Sequence, residues 1–189
     1  MPRRAYYLSH PQVLIDPDVA VGEWGLSDEG HARVAALIER GLPQVSMMFS
    51  SLEVKALETA RPLADALGCP LITRAEMGEN DRSATGFLPP AEFEATADRF
   101  FAEPDVSVRG WKTACAAQRR IVGAVEAALL ETSGDALFVG HGAVGTLLYC
   151  ALCDVGIDRR YDQGPGGGNV FDWQVGHAPK AGWRPMEDL

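Results

Sequence analysis

The sequence predicts an α/β fold of three layers, α/β/α, with helices on both faces of a mostly parallel central sheet. Three observations carry the prediction. Short apolar runs of strand length alternate with longer amphipathic stretches over the first 72 residues. A further apolar run at 136–139 precedes another helical pattern, and glycines and prolines punctuate the joins. With 189 residues and 47% hydrophobic content, the chain is expected to form one domain over 1–189 with a sizeable core, and an insertion at about 74–110 covering its site.

The elements follow in order. Residues 5–8 (Ala-Tyr-Tyr-Leu) read as a buried strand ending at Ser9-His10, where Pro11 stops it, because proline cannot continue a central ladder. Asp16-Pro17-Asp18 marks a loop. Ser27 is a good N-cap, and Asp28 and Glu29 fill the first turn, where the helix dipole favours acids. That helix runs to about Arg40, with Gly41 at C′ and Val34, Leu37 and Ile38 as its buried stripe. A second strand at 45–49 leads through Ser50-Ser51 into a helix over 52–67, closed by Gly68, and a short third strand occupies 70–72.

The pattern then changes. Residues 74–90 lack periodicity and contain Gly78, Gly86, Pro89 and Pro90, as a long functional loop would. A helix is expected from Pro90, at N1, to about Ala102. A turn at 103–110 leads to a long helix over 111–131 with Ile121, Val122, Val125 and Leu129 on its apolar side. Residues 136–139 (Ala-Leu-Phe-Val) form the clearest strand, followed by Gly140-His141-Gly142 and a helix at 143–153. A glycine-rich stretch at 164–168 precedes a late strand at 169–175.

Bulk properties exclude some functions. A net charge of −9 and a pI near 4.9 argue against nucleic acid and anionic membranes, which need a basic surface. No apolar run approaches the roughly 20 residues that span a bilayer, and the N-terminal apolar run is too short for a signal peptide, so a cytoplasmic location is expected. The four cysteines fit that location as reduced, mostly buried thiols.

Candidate chemistry centres on His10 and His141. Either one alone would read as a structural histidine. Together they follow apolar strands directly, at the edge where ligands bind in open α/β sheets. If the two strands are neighbours, both rings meet in one pocket. Ser50, Ser51 and Lys55 stand at a helix start, which suits an anion as well as it suits simple capping. The 74–90 loop carries Glu76, Glu79, Asp81 and Arg82, which would supply a carboxyl proton donor and a cation, or face solvent.

Other signals are discounted. Cys150-x-x-Cys153 lies inside a predicted helix and reads as core thiols. The glycines at 164–168 precede no helix and form no dinucleotide fingerprint. His31 and His177 read as solvated, and Trp111 with Phe100-Phe101 as packing. A metal hydrolase using His10, His141, Glu79 and Asp81 has no ligand-spacing signature to support it.

Four segments in order resemble the histidine phosphatase superfamily, with its phosphoglycerate-mutase-like fold. Tyr7-Leu8-Ser9-His10-Pro11 stands where that family has Arg-His-Gly after its first strand. Leu26-Ser27-Asp28-Glu29-Gly30 is similar to its Leu-Ser/Thr-x-x-Gly helix start. The run Ser50-Ser51-Leu52-Glu53-Val54-Lys55-Ala56-Leu57-Glu58-Thr59-Ala60 resembles Ser-Ser-x-x-x-Arg-Ala-x-x-Thr-Ala, and Val139-Gly140-His141-Gly142 its second His-Gly. Glu79 matches the family's acidic position.

The resemblance implies a metal-independent, cofactor-free phosphatase acting through a phosphohistidine. His10 would be the nucleophile, His141 the stabiliser of the transferring phosphoryl group and Glu79 the proton donor. Ser9, Ser51, Lys55 and Gly142 would bind phosphate, and Arg82, three residues after Glu79, is a further phosphate-binding candidate on its position alone. The expected partner is a small phosphorylated substrate, with no nucleic acid and no membrane; monomer and homodimer both remain open. The stretch between His10 and Ser27 is shorter than in the family's sugar-phosphate mutases, which favours phosphatase over mutase. The sequence also departs from the pattern: Ser9 replaces the first arginine, Pro11 the glycine, and Lys55 the second arginine. Lysine is a point charge and not a planar fork. A weakly active or non-catalytic phosphate-binding protein is therefore the alternative, unless Arg82 or Arg109 folds into the pocket to compensate.

Overall fold

A computed structural model describes residues 2–189, leaving Met1 outside. Strand β1 (Arg4–Ser9) opens the chain, followed by α1 (Asp28–Arg40), β2 (Met47–Ser50), α2 (Val54–Leu67), β3 (Leu71–Thr73) and α3 (Pro90–Ala102). Then come α4 (Ala114–Leu130), β4 (Ala136–Gly140), α5 (Gly142–Leu152), β5 (Asn169–Gln174) and β6 (Arg184–Pro185). All six strands join one sheet in the order β3-β2-β4-β1-β5-β6. The pairs β3–β2, β2–β4 and β4–β1 are parallel, as expected, whereas the pairs β1–β5 and β5–β6 are antiparallel.

The pleat sends alternate side chains to opposite faces, and this builds the layers. Tyr7, Phe138 and Phe171 point to the face covered by α4 and α5, where Ile121, Val125, Val144 and Leu147 meet them. Tyr6, Leu8, Leu137 and Val139 point to the other face, against Leu37 of α1 and Ala60 and Leu63 of α2. Among the described residues no helix is long and apolar enough to cross a membrane.

Local signals explain most boundaries. The Ser27 hydroxyl accepts the Gly30 N–H at 3.2 Å, and Asp28 and Glu29 occupy the first turn of α1. Gly68 closes α2 in the left-handed conformation at φ 63°. The expected starts of two helices need correction. Helix α2 begins at Val54 and not at residue 52, because the Ser51 amide bonds the Val139 carbonyl and its hydroxyl accepts the Glu53 N–H. Helix α4 begins at Ala114 and not at 111, because the Thr113 hydroxyl caps it through the Ala116 N–H. Trp111 stays extended before it, packed on Phe100 and donating its indole N–H to Thr85 at 2.8 Å. Strand β2 lies at 47–50, two residues past the expected start, and the short β6 carried no sequence signal. All four cysteines are free, but only Cys150 is fully buried; Cys69, Cys115 and Cys153 are half-buried.

Candidate active site

The floor of the site is set by backbone register. Strands β1 and β4 are parallel neighbours with Ser9 opposite Gly140, so the next residue of each, His10 and His141, leaves the sheet side by side. The His10 N–H donates to the Gly140 carbonyl at 2.9 Å, and the two imidazoles meet edge to face with centroids 5.3 Å apart. Tyr7 braces this corner. Its hydroxyl accepts the His141 N–H at 3.2 Å and donates to the His141 carbonyl at 3.3 Å. Gly140 makes room for it, since a Cβ there would stand 2.3 Å from the Tyr7 oxygen.

The two rings have distinct surroundings. His10 Nδ1 lies 2.8 Å from the Pro11 carbonyl, which can only accept, so Nδ1 carries the proton and Nε2 keeps its lone pair. Burial holds this histidine down to about 4, against the pull of that hydrogen bond, so the ring is neutral at pH 7. His141 is fully buried, and burial holds it well below the ordinary imidazole range despite nearby Glu53. Its Nε2 is 2.7 Å from Ser51 Oγ and 3.4 Å from Glu53 Oε1, while Nδ1 has no partner. A proton on Nε2 serves both acceptors and spares the interior an unpaired donor. One ring thus offers a lone pair and the other an N–H.

A charged wall stands beside this floor. Lys55, buried in the first turn of α2, donates to the Val21 carbonyl and to Glu53 Oε2, each at 2.6 Å. Two of its three N–H bonds are used, leaving one for an anion. Burial pushes Glu53 up, but His141, Lys55 and the Glu79 N–H outweigh it and hold the carboxyl down to about 2. Glu79 receives the Ala143 and Val144 N–H groups at the start of α5, and burial raises its carboxyl above the usual range. Its backbone is pinned by Arg120 of α4, whose guanidinium donates to the carbonyls of Glu76, Gly78 and Glu79. Arg82 lies 4.9 Å over the Phe93 ring. With Val21, Gly22, Glu53, Glu79, Asn80 and Asp81 it lines a cleft of about 380 Å³.

His10, His141, Ser51 and Lys55 are thus brought together, the last through Glu53, and the Glu79 N–H joins them at the same carboxylate; Arg82 lines the adjoining cleft. Gly142 is buried at the first position of α5 beside Gln163. Ser9 departs from expectation. Its hydroxyl donates to Gln163 Oε1 and accepts the Asn169 N–H at 3.0 Å, so it ties β1 to its neighbours and has no donor left for a phosphate. Arg109 does not fill the vacancy either; it pairs with Glu92 in the open at 3.1 Å. Glu76 is exposed and gives only its carbonyl, to Arg120. Sequence reasoning missed Glu53, whose only signal was an acid two residues before Lys55, and Tyr7, Gln163 and Arg120, which act through tertiary contacts alone.

A family model described as histidine phosphatase superfamily (branch 1) matches residues 19–183, a span that begins after Tyr7, Ser9 and His10 and includes the other site residues. No curated protein sequence matches the chain. Solved structures of the same fold include the mycobacterial glucosyl-3-phosphoglycerate phosphatase, 18% identical over 97% of each chain with a TM-score of 0.77. YhfR of Bacillus stearothermophilus is 20% identical over 90% of each chain, with a TM-score of 0.76. The mycobacterial phosphatase in complex with inorganic phosphate is 20% identical over 96% of this chain and 94% of that one, with a TM-score of 0.74.

Proposed function

The chain belongs to the histidine phosphatase superfamily, and on that premise we propose that it is a metal-independent phosphatase of a small phosphorylated substrate, working through a phosphohistidine. One observation carries the reading: His10 is a neutral imidazole with its proton committed to Pro11 and its Nε2 lone pair free beside His141. That is the state a nitrogen nucleophile requires.

In the proposed reaction His10 Nε2 attacks phosphorus, and the bond to the alcohol oxygen breaks as Glu79 gives that oxygen its proton. The His141 N–H, Lys55 and Arg82 bear on the phosphoryl oxygens, where charge is redistributed. Water then attacks the phosphohistidine, giving its proton to the Glu79 carboxylate. The P–N bond breaks, and phosphate leaves with both groups restored. The raised carboxyl of Glu79 suits it to hold a proton for the first step. A cleft of about 380 Å³ supports a small substrate.

The test compares turnover of p-nitrophenyl phosphate by the wild type and His10→Ala. A loss of about 10³-fold or more is expected, with radiolabelled phosphate recovered on the wild-type protein after an alkaline quench. Equal rates at matched purity would sink the proposal. Ser9, Pro11 and Glu53 favour a second reading, a phosphate-ligand binding protein with slow or no turnover. It predicts that phosphate raises the melting temperature while His10→Ala leaves the residual rate unchanged.

A further inference from the structure

The anion seat of the proposed reaction is bounded by His10, His141 and Lys55, and a carboxylate of the chain already spans two of the three. Glu53 Oε1 lies 3.4 Å from His141 Nε2, and Glu53 Oε2 accepts from Lys55 Nζ at 2.6 Å. Oε1 also accepts the Glu79 N–H at 2.7 Å. A phosphoryl group would reach the same imidazole and the same ammonium through two of its oxygens. Carboxylate and phosphate are both anionic acceptors, so they compete for the same donors and repel one another across a poorly screened site. Glu53 is not sealed in: its side chain is 21% exposed and lines the cleft.

We infer that Glu53 determines the anion affinity and selectivity of this site by occupying the phosphoryl seat as an internal ligand. A phosphorylated substrate binds by displacing the carboxylate from Lys55 and His141 toward the cleft. Bare phosphate has only the seat to offer in exchange, so it binds weakly and leaves readily. An ester adds contacts from its alcohol portion along the cleft and displaces Glu53 more effectively. The inference rests on the reading of His10 and His141 as a phosphate site.

The test titrates inorganic phosphate calorimetrically into the wild type, Glu53→Gln and Glu53→Ala at pH 7 and fixed salt. Glutamine keeps the shape and an acceptor for the Glu79 N–H but removes the charge. Tightening of the phosphate Kd by about tenfold or more is expected in both variants; a tenfold change corresponds to about 1.4 kcal/mol. Product inhibition by phosphate should tighten in parallel, and KM for p-nitrophenyl phosphate should fall more than kcat changes. If Glu53→Ala fails to fold, Glu53→Gln decides alone. Unchanged or weaker phosphate binding in Glu53→Gln, at a wild-type melting temperature, would overturn the inference and make Glu53 a strut for Lys55 and His141. Absence of phosphate binding in all three proteins would overturn it too. Failure of the phosphatase reading is seen separately, in His10→Ala turnover: tighter phosphate binding in Glu53→Gln with no difference there keeps Glu53 as an anion competitor and removes the catalysis.

Discussion

The floor and the wall of this site are built on different principles. The floor, His10 and His141, is placed by the backbone: two buried parallel strands in fixed register, with Ser9 opposite Gly140. The wall, Glu53, Lys55, Glu79 and Arg82, is placed by side chains from the start of α2 and from the loop before α3, held by hydrogen bonds and ion pairs. Register allows little variation, since a one-residue slip would send every core side chain of β1 to the wrong face. A side-chain network can change its members one at a time. The departures from the family pattern fall on both sides of this division: Ser9 and Pro11 flank His10 in the floor, and Lys55 stands in the wall. Both histidines are present, while the arginine clamp has become Ser9 and Lys55 with a carboxylate between Lys55 and His141.

Four measurements would break or sharpen that contrast. The largest effect is expected in the wall. Glu79→Gln should lower kcat by about 10²–10⁴-fold on an alkyl phosphate, and by much less on p-nitrophenyl phosphate, whose leaving group needs little protonation. Equal losses on both esters would remove Glu79 as the proton donor. In the floor, Gly140→Ala places a Cβ 2.3 Å from the Tyr7 hydroxyl and must shift the brace on His141. A loss of about 1–3 kcal/mol in stability is expected, read as a lower melting temperature, with kcat falling while KM holds. Unchanged kcat would show that the floor is more tolerant than its packing suggests.

The third measurement uses pH. His10 binds its proton only near pH 4 in the folded protein but near 6.5 when unfolded. Between those values the unfolded chain carries more protons, so the contribution of His10 is complete above 6.5 and is lost as pH falls toward 4. Melting temperatures taken at pH 7 and pH 5 should differ less in His10→Asn than in the wild type. The activity profile should rise from about pH 4 as His10 loses its proton, then fall as Glu79 ionises above the usual carboxylate range. An acid limb centred near 6.5 would contradict the half-buried, neutral His10. The smallest effect is expected for Arg109→Ala. Its exposed pair with Glu92 contributes only about 0–1 kcal/mol, and turnover should change less than about twofold; a larger loss would return Arg109 to the site.

The same division decides what was legible in the sequence. The strands beside the histidines announce themselves as apolar runs, and Ser27, Gly41, Gly68 and Pro90 mark helix ends through purely local physics. Side-by-side placement of His10 and His141 followed once the strands were paired. The wall was legible only in part. Lys55, Glu79 and Arg82 stood out as charged residues near strand ends, but nothing local says that Glu53 turns toward Lys55 and His141 when it could face water. Nor does a sequence show that Ser9 is occupied by Gln163 and Asn169, or that Arg120 reaches across to hold the loop at Glu79. Those facts exist only after packing.

The position of β1 between β4 and β5 has a consequence for how the molecule comes into being. The first strand of the chain must wait for a partner that is made only after α1 to α4, and its second partner comes later still. Contacts of such high contact order form late and slowly. A nascent chain can assemble β2, α2 and β3 early, and with them Lys55 and Glu53, yet the paired imidazoles arise only when β1 has met β4. Any signal from the His10–His141 pair, whether a bound anion or a turnover, is therefore also a report that this long-range pairing has formed.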